Sequence, residues 1–248
     1  MERTIGIERE WFILREDKIA PLIGELLPEL EAECERRNIP KELFSFELFA
    51  GQVEDRTLVT SNVVQTINSL FYNKELLLCV GKTLNMKFLC TEYVSAEDLG
   101  ELVVNPFNPR HKEIWEKLET AEKIAASQVA AVHIHLGVSL EEAVSVLNFC
   151  RRSVIDDLCE LGDFSLGMRM QSYRTMAKVY GDPPLFENTD RLLSYIESKG
   201  GEKNVWDLVR YKPSTGTIEF RMFGAIDNDV HIIRFINACR RILKRACT

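Results

Sequence analysis

Four segments of this sequence alternate acidic, basic or imidazole side chains with apolar ones at the period of a β-strand. Side chains two residues apart in a strand share a face, so each segment has one polar face and one face ready to be buried. A sheet that is covered by helices on both faces reads instead as continuous apolar runs. The pattern therefore favours an α+β fold, with one curved, mainly antiparallel sheet, helices on its outer face and polar groups in its concavity. The segments are GIEREW with Glu8 and Glu10, FELFAGQVED with Glu47 and Glu54, AVHIHLGV with His133 and His135, and TIEFR with Glu219 and Arg221.

Periodic apolar residues predict the elements that connect these segments. Helical patterns cover residues 22–37, 62–84 with Ser61 as a candidate cap, 110–127, a segment opened by Ser139, 190–199 and 229–246. Strand patterns cover residues 3–14, 44–58, 87–94 and 129–138, and a Gly-, Pro- and Arg-bearing loop covers roughly 162–188. No repeat, low-complexity tract or linker-like run divides the chain, so we expect one domain over residues 1–248.

The composition argues against several classes of protein. A net charge of -7 argues against a sequence-independent nucleic-acid binder, whose surface should be basic. The chain has no apolar run of about 18 residues, so we expect no membrane span. The first residues, MERTIGIEREWF, enter a strand pattern without a signal-peptide core, which predicts a cytoplasmic protein. The seven cysteines form no CxxC pair and are predicted to be buried thiols rather than a metal site or a disulfide framework.

Each polar pair is weak evidence for a site when it is taken alone. A Glu-x-Glu pair on a strand is usually solvated, and a His-x-His pair is more often structural than metal-binding. Their joint appearance, each within a segment that would anchor a core strand, favours a shared site. Carboxylates gathered on one sheet face repel one another, and oxygen donors with one or two imidazoles suit Mg²⁺ or Mn²⁺. We therefore expect Glu219 to bind a metal ion and Arg221 beside it to bind phosphate.

In this order, GIEREW, FELFAGQVE, VHIHLGV and STGTIEFR resemble the motifs of glutamate–cysteine ligase family 2, the ATP-dependent carboxylate–amine ligases. The fold of that family is similar to the catalytic sheet of glutamine synthetase. The resemblance extends from Gly6 to about Asn228 and so covers most of the chain. It implies a single catalytic domain, in which Arg221 contacts nucleotide phosphates or an acyl-phosphate. It also implies that Mg²⁺ or Mn²⁺ is bound by Glu8, Glu10, Glu47, Glu54, His133 and Glu219.

The segment GMRMQSYR resembles the family segment that carries substrate- and phosphate-facing arginines. This resemblance places Arg169 and Arg174 in the predicted site, where Arg174 joins the arginine of the Glu-x-Arg strand as a catalytic group. His135 is a weaker metal candidate than the first histidine of its strand. His111 and His231 have no partner in the motifs and are interpreted as surface residues.

The resemblance implies a reaction in two steps. ATP phosphorylates a carboxylate, such as the γ-carboxylate of glutamate, to an acyl-phosphate, and two or three Mg²⁺ ions neutralise the phosphate charge. An amine such as cysteine then attacks the carbonyl, and arginine and metal stabilise the oxyanion. The expected partners are ATP, an amino acid and an amine, with no nucleic acid and no membrane. Exposed sheet edges predict a homo-oligomer. The chain is shorter than most bacterial members, and no segment is assigned to cysteine recognition.

Two other interpretations fit the same acids. A metal-dependent phosphoesterase or nuclease would use two metal ions to activate water, but such sites commonly use several Asp, whereas the candidate ligands here are nearly all Glu. A non-catalytic relative would bind nucleotide or metal and act through its partners. The presence of acids on each candidate strand favours the ligase over both.

Overall fold

An antiparallel sheet organises the fold of the protein in its computed structural model, which describes residues 3–248. Its strands are β1 (Ile5–Arg15), β2 (Lys18–Ile19), β3 (Phe44–Phe46), β4 (Gln52–Arg56), β5 (Lys87–Leu89), β6 (Ala131–Gly137), β7 (Val209–Lys212) and β8 (Thr217–Gly224). Across the sheet the order is β3-β4-β1-β6-β8-β7, while β2 and β5 both pair with β1. Each of these strand pairs is antiparallel. The predicted α+β class is therefore confirmed.

Helices occupy most of the chain between these strands. They are α1 (Ile23–Arg36), α2 (Val63–Thr83), α3 (Pro109–Lys117), α4 (Thr120–Ser127), α5 (Leu140–Phe149), α6 (Arg152–Leu161), α7 (Met168–Ala177), α8 (Thr189–Ser198) and α9 (Asp229–Ala246). Among the described residues, 3–248, none of these helices has the length and apolar character needed to cross a membrane.

The apolar face of the sheet packs under helices. Ile5 and Ile7 of β1, with matching residues of β6 and β8, belong to a large buried cluster that includes residues of α5, α8 and α9. Phe235 of α9 stacks on Phe223 of β8, with ring centroids 4.4 Å apart. At strand spacing, this burial leaves the alternate side chains, Glu8 among them, on the opposite face. The polar residues predicted to form a site therefore share one face of the sheet.

The predicted helix at residues 110–127 is two helices, α3 and α4. The chain leaves the helical conformation at Leu118, which has a ψ of 138°. Glu119 then opens α4 with a capping box. Trp115 of α3 packs in a buried cluster with Phe12. Because Phe12 follows the polar residues of β1 at strand spacing, α3 lies against the polar side of the sheet.

The segment at residues 162–188, predicted to be a loop, contains helix α7. Gly167 is the N-cap of this helix, with a φ of +84°, and as a glycine it has no side chain with which to cap the first turn. The buried residues of α7 include Arg169 as well as Met170 and Tyr173, so its inner face does not read as an apolar stripe. The prediction of a loop is wrong because neither a cap nor apolar periodicity marks this helix. Helix α6 and strand β7 are also absent from the predicted elements.

One smaller prediction is confirmed and two change in detail. The extended segment at 44–58, predicted to be a strand pair bent near Ala50 and Gly51, is a hairpin of β3 and β4. The strand predicted at 87–94 forms a continuous ladder only in β5, with isolated bridges beyond it. Asn62, not Ser61, is the N-cap of α2, because its Oδ1 accepts hydrogen bonds from two backbone N–H groups of the first turn.

The cysteines are all free thiols. Cys34, Cys150 and Cys239 are buried, which confirms the prediction for these three. Cys79 and Cys247 are exposed, so for them the prediction is wrong.

A buried ion pair joins β1, β4 and α2 on the helix-covered side of the sheet. Arg9 donates from Nε and Nη2 to the two carboxylate oxygens of Asp55, at 3.0 and 3.2 Å. The indole of Trp11 donates to the same carboxylate at 2.6 Å, and Asn73 of α2 donates to it at 3.3 Å. Arg9 and Asp55 are at most 1% exposed. Because both charges are desolvated, removal of either partner is expected to destabilise the folded protein strongly.

We expect the substitution Asp55→Ala to lower the free energy of unfolding by about 3–5 kcal/mol, because it leaves the buried Arg9 guanidinium with only the partly exposed Asp227 as a counter-charge, at 3.3 Å. Urea denaturation measures this change. Glu187→Ala is the control, since Glu187 is an exposed acid beside Arg191, and it should leave the midpoint unchanged. An Asp55→Ala midpoint equal to that of the control would contradict a stabilising role for the buried pair.

Candidate functional site

The strand register brings the predicted acids of β1 beside those of its neighbours. Glu10 lies opposite Glu54 of β4, and Glu8 lies opposite His133 of β6. In the antiparallel ladder, directly opposed residues have their side chains on the same face of the sheet. Glu8 Oε2 is 3.2 Å from His133 Nδ1, and Glu10 Oε1 is 3.7 Å from His133 Nε2. The imidazole therefore lies between the two glutamates of β1.

The same face continues through β8 to β7. His135 lies opposite Glu219, and Glu219 lies opposite Arg210. The ladder between β6 and β8 shifts register at residue 133, an irregularity of the kind that re-aims side chains. Glu219 accepts hydrogen bonds from Arg210 Nε at 2.6 Å and from Arg221 Nη1 at 2.8 Å. This half of the site therefore sets an acid between two guanidinium groups.

Glu47 reaches the site from the connection between β3 and β4 rather than from a strand. Its backbone carbonyl accepts a hydrogen bond from Asn105 Nδ2 at 2.7 Å, and the Asn105 N–H donates to the carbonyl of Leu48 at 3.1 Å. Asn105 is 1% exposed. Asn105 therefore helps to attach the segment before α3 to the hairpin that carries Glu47, together with the bridge between Phe49 and Val104.

Within residues 3–248, three groups of side chains have ligand atoms that lie within 4.8 Å of one another, as a shared metal ion requires. Each group combines carboxylates with at most one imidazole, which is a donor set suited to hard divalent cations. The groups share members, so a carboxylate can bridge two ions. They are Glu10, Glu47 and Glu54; Glu8, Glu54 and His133; and Glu8, His135 and Glu219.

The first of these groups holds its acids at an electrostatic cost. Burial, with the charge of Glu54 as the next cause, raises the pKa of Glu10 to about 8. Burial and the charge of Glu10 raise the pKa of Glu47 to about 8 as well. Burial and the charge of Glu8 raise the pKa of Glu54 well above its ordinary value. The three carboxyls can therefore be ionised together at neutral pH only if cations compensate them.

The opposite half of the site has the reverse electrostatics. Burial alone would raise the pKa of Glu219, but Arg221 and Arg210 outweigh it and hold the pKa far below its ordinary value. Burial, followed by the charge of Arg221, lowers the pKa of His133 to about 4. The imidazole of His133 is therefore neutral at pH 7, which is the form that binds metal ions.

Four of the candidate metal ligands line a cleft of about 380 Å³: Glu8, Glu47, Glu54 and His133. Its acids lie at the sheet, and two kinds of side chain surround them. The cations that line the cleft are Arg56, Arg110, Lys203, Arg210, Lys212 and Arg221. The apolar and aromatic residues that line it are Phe46, Leu48, Ile114 and Trp206. A larger surface depression of about 790 Å³ lies against α1, away from these acids.

Contacts across the cleft hold its two sides together. Arg110 of α3 donates to the carbonyl of Lys203 at 3.2 Å and also bonds the side chain of Asn204. Arg210 donates from Nη1 to the carbonyl of Val205 at 2.9 Å. The segment that carries Lys203 is therefore bound both to α3 and to β7.

Several of these cations are missing from the sequence-based site. Arg210 and Lys212 lie on β7, and Arg56 is the last residue of β4, where its Nε donates to Glu54 at 2.5 Å. A usable signal for β7 was present, since VRYK alternates buried Val209 and Tyr211 with the two cations. Strand β7 precedes the PSTG turn and forms a hairpin with β8. The sequence predicts this hairpin only when the patterns of both strands are considered together.

Arg169 is not among the residues that line the cleft. Its guanidinium donates to the backbone carbonyls of Ala130, Met222 and Arg221 at 3.1, 2.8 and 2.9 Å. The side chain is nearly inaccessible to solvent, with 3% of the residue exposed. In this position Arg169 ties the start of β6 to β8.

Arg174 is also directed away from the lining of the cleft. Its Nε donates to the carbonyl of Tyr180 at 3.3 Å, and its guanidinium carbon lies 4.1 Å from the centroid of the Tyr180 ring. A direct contact of Arg169 or Arg174 with substrate stays a prediction.

Two histidines interpreted as surface residues have partners. His111 lines the cleft, and its Nδ1 is 2.7 Å from Asn105 Nδ2, so a surface position is wrong for this residue. The ring of His231 packs edge-on against Phe164, with centroids 5.1 Å apart.

Removal of one buried acid should change the pH dependence of stability in the metal-free protein. The pKa of Glu10 is about 8 in the folded protein against an ordinary value of 4.5, so the folded state holds the extra proton between these values. Because the folded state binds this proton more tightly than the unfolded state, the free energy of unfolding of the wild-type chain falls as pH rises from about 4.5 to about 8. We expect Glu10→Gln, which cannot ionise, to gain stability relative to wild type over this interval, by more than about 1 kcal/mol.

Urea denaturation in the presence of a chelator at several pH values measures the difference. The control Glu42→Gln replaces an exposed acid and should follow the wild-type curve at each pH. A constant difference between Glu10→Gln and wild type across this range would contradict the raised pKa.

Comparison with known proteins identifies the fold but no family. No protein-family model matches the sequence, and no curated protein matches it. The crystal structure of a bifunctional glutathione synthetase from Pasteurella multocida is similar over 99% of this chain and 40% of that one, with a TM-score of 0.54 and 13% identity. A novel glutamine synthase homolog is similar over 98% of this chain and 55% of that one, with a TM-score of 0.49 and 12% identity. The chain thus spans less than half the length of the glutathione synthetase, with which it shares a fold.

Proposed function

We propose that this protein is an ATP-dependent carboxylate–amine ligase that uses Mg²⁺ or Mn²⁺. The observation that carries the proposal is the arrangement of charge in the cleft. Carboxylates with raised pKa values lie at the sheet, and six cationic side chains surround the space above them. A metal–nucleotide complex matches both parts, because its cations suit the acids and its phosphates suit the guanidinium and ammonium groups.

The residues present fit two divalent cations within this cleft. Glu10, Glu47 and Glu54 would hold one, and Glu54 would share the second with Glu8 and His133. Bound cations would neutralise the phosphate oxygens as charge moves toward ADP. The donor set supports this fit, since three buried acids whose pKa values are raised gain most from a compensating cation.

The wall of the cleft would receive the rest of the nucleotide. Phe46 and Trp206 supply flat apolar surfaces, and the ring of Phe46 lies 5.8 Å from that of His111. Such surfaces suit a purine base. This feature favours a nucleotide ligase over a phosphoesterase, whose reaction needs only a phosphate ester, metal ions and water.

In the proposed reaction, ATP transfers its γ-phosphoryl group to a carboxylate and ADP leaves. Arg221 and Arg210 lie beside the acids and would hold the transferred group through charge-assisted hydrogen bonds. An amine then attacks the acyl carbon and loses a proton, phosphate leaves, and an amide remains. The proposed substrates are the γ-carboxylate of glutamate and the amine of cysteine, as the resemblance of the motifs suggests. The fold shared with a synthetase supports the ligase class.

An ADP-release assay with a panel of amino acids and amines tests the reaction. We expect ADP to form only when ATP, a divalent cation, an acid and an amine are all present. Glu54→Gln should lower kcat by at least about 100-fold, because second-shell changes alone often cost 10–100-fold in metal sites. The control Glu42→Gln should retain wild-type activity. ADP release that needs neither acid nor amine would replace the ligase with a hydrolase, and full activity in Glu54→Gln would overturn the metal assignment.

A thermal-shift experiment separates the binding of phosphate from the binding of metal. We expect a non-hydrolysable ATP analogue to raise the melting temperature only in the presence of Mg²⁺ or Mn²⁺. Arg221→Gln should lose most of this nucleotide-dependent rise while it keeps the rise caused by Mn²⁺ alone. Arg15→Gln is the matched control, because Arg15 pairs with Glu25 at the surface. An equal nucleotide shift in Arg221→Gln and the control would show that Arg221 does not contact the phosphates.

A further inference from the structure

Helix α2 carries large apolar side chains on its solvent face as well as on its buried face. Val64, Phe71 and Leu78 recur at every seventh residue and are 66%, 62% and 42% exposed. Residues seven apart differ by about 20° around a helix axis, so the three side chains form one stripe along α2. The buried residues Asn73 and Val80 lie about 180–200° around the axis from Phe71. The stripe therefore faces away from the core.

The length and spacing of this stripe indicate a contact surface. Apolar side chains at a seven-residue spacing are typical of a helix that packs along another helix. Helix α2 has 21 residues, so it is about 31 Å long, and the stripe follows most of that length. Single exposed apolar residues are normal on a soluble protein, whereas a continuous apolar strip marks an interaction site.

Helix α9 runs beside the stripe on one side. Lys74 of α2 forms an ion pair with Asp227, which lies just before the start of α9. Farther along α9, Arg240 donates to the backbone carbonyl of Ser61 at 3.1 Å, next to the start of α2. These two contacts place α9 along the first half of α2.

Helix α1 lies on the other side of the stripe. Leu76 and Leu77 of α2 belong to a buried cluster that includes residues of α1. Arg37, the residue after α1, lies close to the side chain of Tyr72. Around the axis of α2, Tyr72 is about 100° from Phe71 in one direction and Lys74 is about 60° from it in the other. The stripe is therefore flanked by α1 on the side of Tyr72 and by α9 on the side of Lys74.

The two flanking helices carry opposite charges. Helix α1 contains five glutamates and one arginine, whereas α9 contains five lysines and arginines and one aspartate. A two-fold axis close to the direction of α2 exchanges the two flanks between two copies of the chain. The acidic flank of each copy then faces the basic flank of the other, so the charges are complementary. The exposed members of these charged sets include Glu25, Glu29, Glu35, Arg234, Arg241, Lys244 and Arg245.

We propose that a second copy of this chain covers this face, in a two-fold dimer whose α2 helices pack through Val64, Phe71 and Leu78. A two-fold contact requires a surface that complements itself, and here apolar residues meet apolar residues while acids meet bases. Helices of 21 and 18 residues, each about 10 Å wide, present about 600 Å² in projection. This area is comparable with the roughly 800 Å² that each partner buries in a stable interface. The oligomer expected from exposed sheet edges would thus form through a helix.

Sedimentation equilibrium of the full chain tests the dimer. We expect the wild type to have twice the mass of the 28.5 kDa chain, and Phe71→Ser to have the mass of one chain at the same concentration. Leu166→Ser is the matched control, because Leu166 is an apolar residue that is 98% exposed and lies outside α2, and it should remain dimeric. A monomeric wild type would overturn the proposal.

A charge reversal tests the arrangement of the flanks. Arg234→Glu on α9 should raise the dissociation constant of the dimer by about 10-fold or more, because the basic flank loses charge that faces the acids of the other copy. The control Lys117→Glu reverses an exposed charge on α3 and should leave the constant unchanged. Equal constants for the two variants would overturn the exchange of flanks.

A second variant of the stripe keeps the test decisive if Phe71→Ser does not fold, which circular dichroism reports. Val64→Ser removes an exposed apolar group near the start of α2 and should also raise the dissociation constant of the dimer. An unchanged constant in the folded variants of Phe71 and Val64 would overturn the contact through α2. The proposed ligase does not depend on this result, since its candidate ligands lie outside α2.

Discussion

The constraint on which the site depends is the repulsion among carboxylates that the sheet holds on one buried face. Glu10, Glu47 and Glu54 lie close enough to share one ion, and each has a pKa above its ordinary value. Such an arrangement persists in the folded chain only with protons or cations to compensate it. The acids are held on three separate segments, so movement of one side chain can relieve little of the repulsion among them. The site therefore favours divalent cations.

Contacts on the opposite face of the sheet hold β1 and β4 in place against this repulsion. Arg9 lies one residue from each of two site acids on β1, yet points into the helix-covered interior, where Asp55 satisfies it. Along β1 and β4, the pair Arg9–Asp55 therefore lies on one face, while the next pair, Glu10–Glu54, brings two acids together on the other. Strand geometry makes this separation possible, because adjacent side chains cannot share a face.

Charge also changes along the site, from acids at β1 and β4 to guanidinium groups at β7 and β8. Glu54 has its pKa raised, whereas Glu219, between Arg210 and Arg221, has its pKa lowered. A metal–phosphate ligand would fit this gradient in one direction, with cations over the acids and phosphates toward the arginines. The gradient arises from the order of the strands, since β8 and β7 follow β6 at one side and β4 follows β1 at the other.

The sequence by itself determined the antiparallel strands of the core and which of their residues share a face. Alternation is a local property, so Glu8, Glu10, His133 and Glu219 could be assigned to one polar face from their neighbours alone. Helix α7 could not be predicted, because it lacks a side-chain cap and buries an arginine. Only the tertiary structure decided which residues meet: the register that sets Arg210 opposite Glu219, the hairpin that carries Glu47, and the imidazole of His135 beside Glu8. These contacts join segments distant in the chain, and packing of the whole sheet sets their register, not any local pattern.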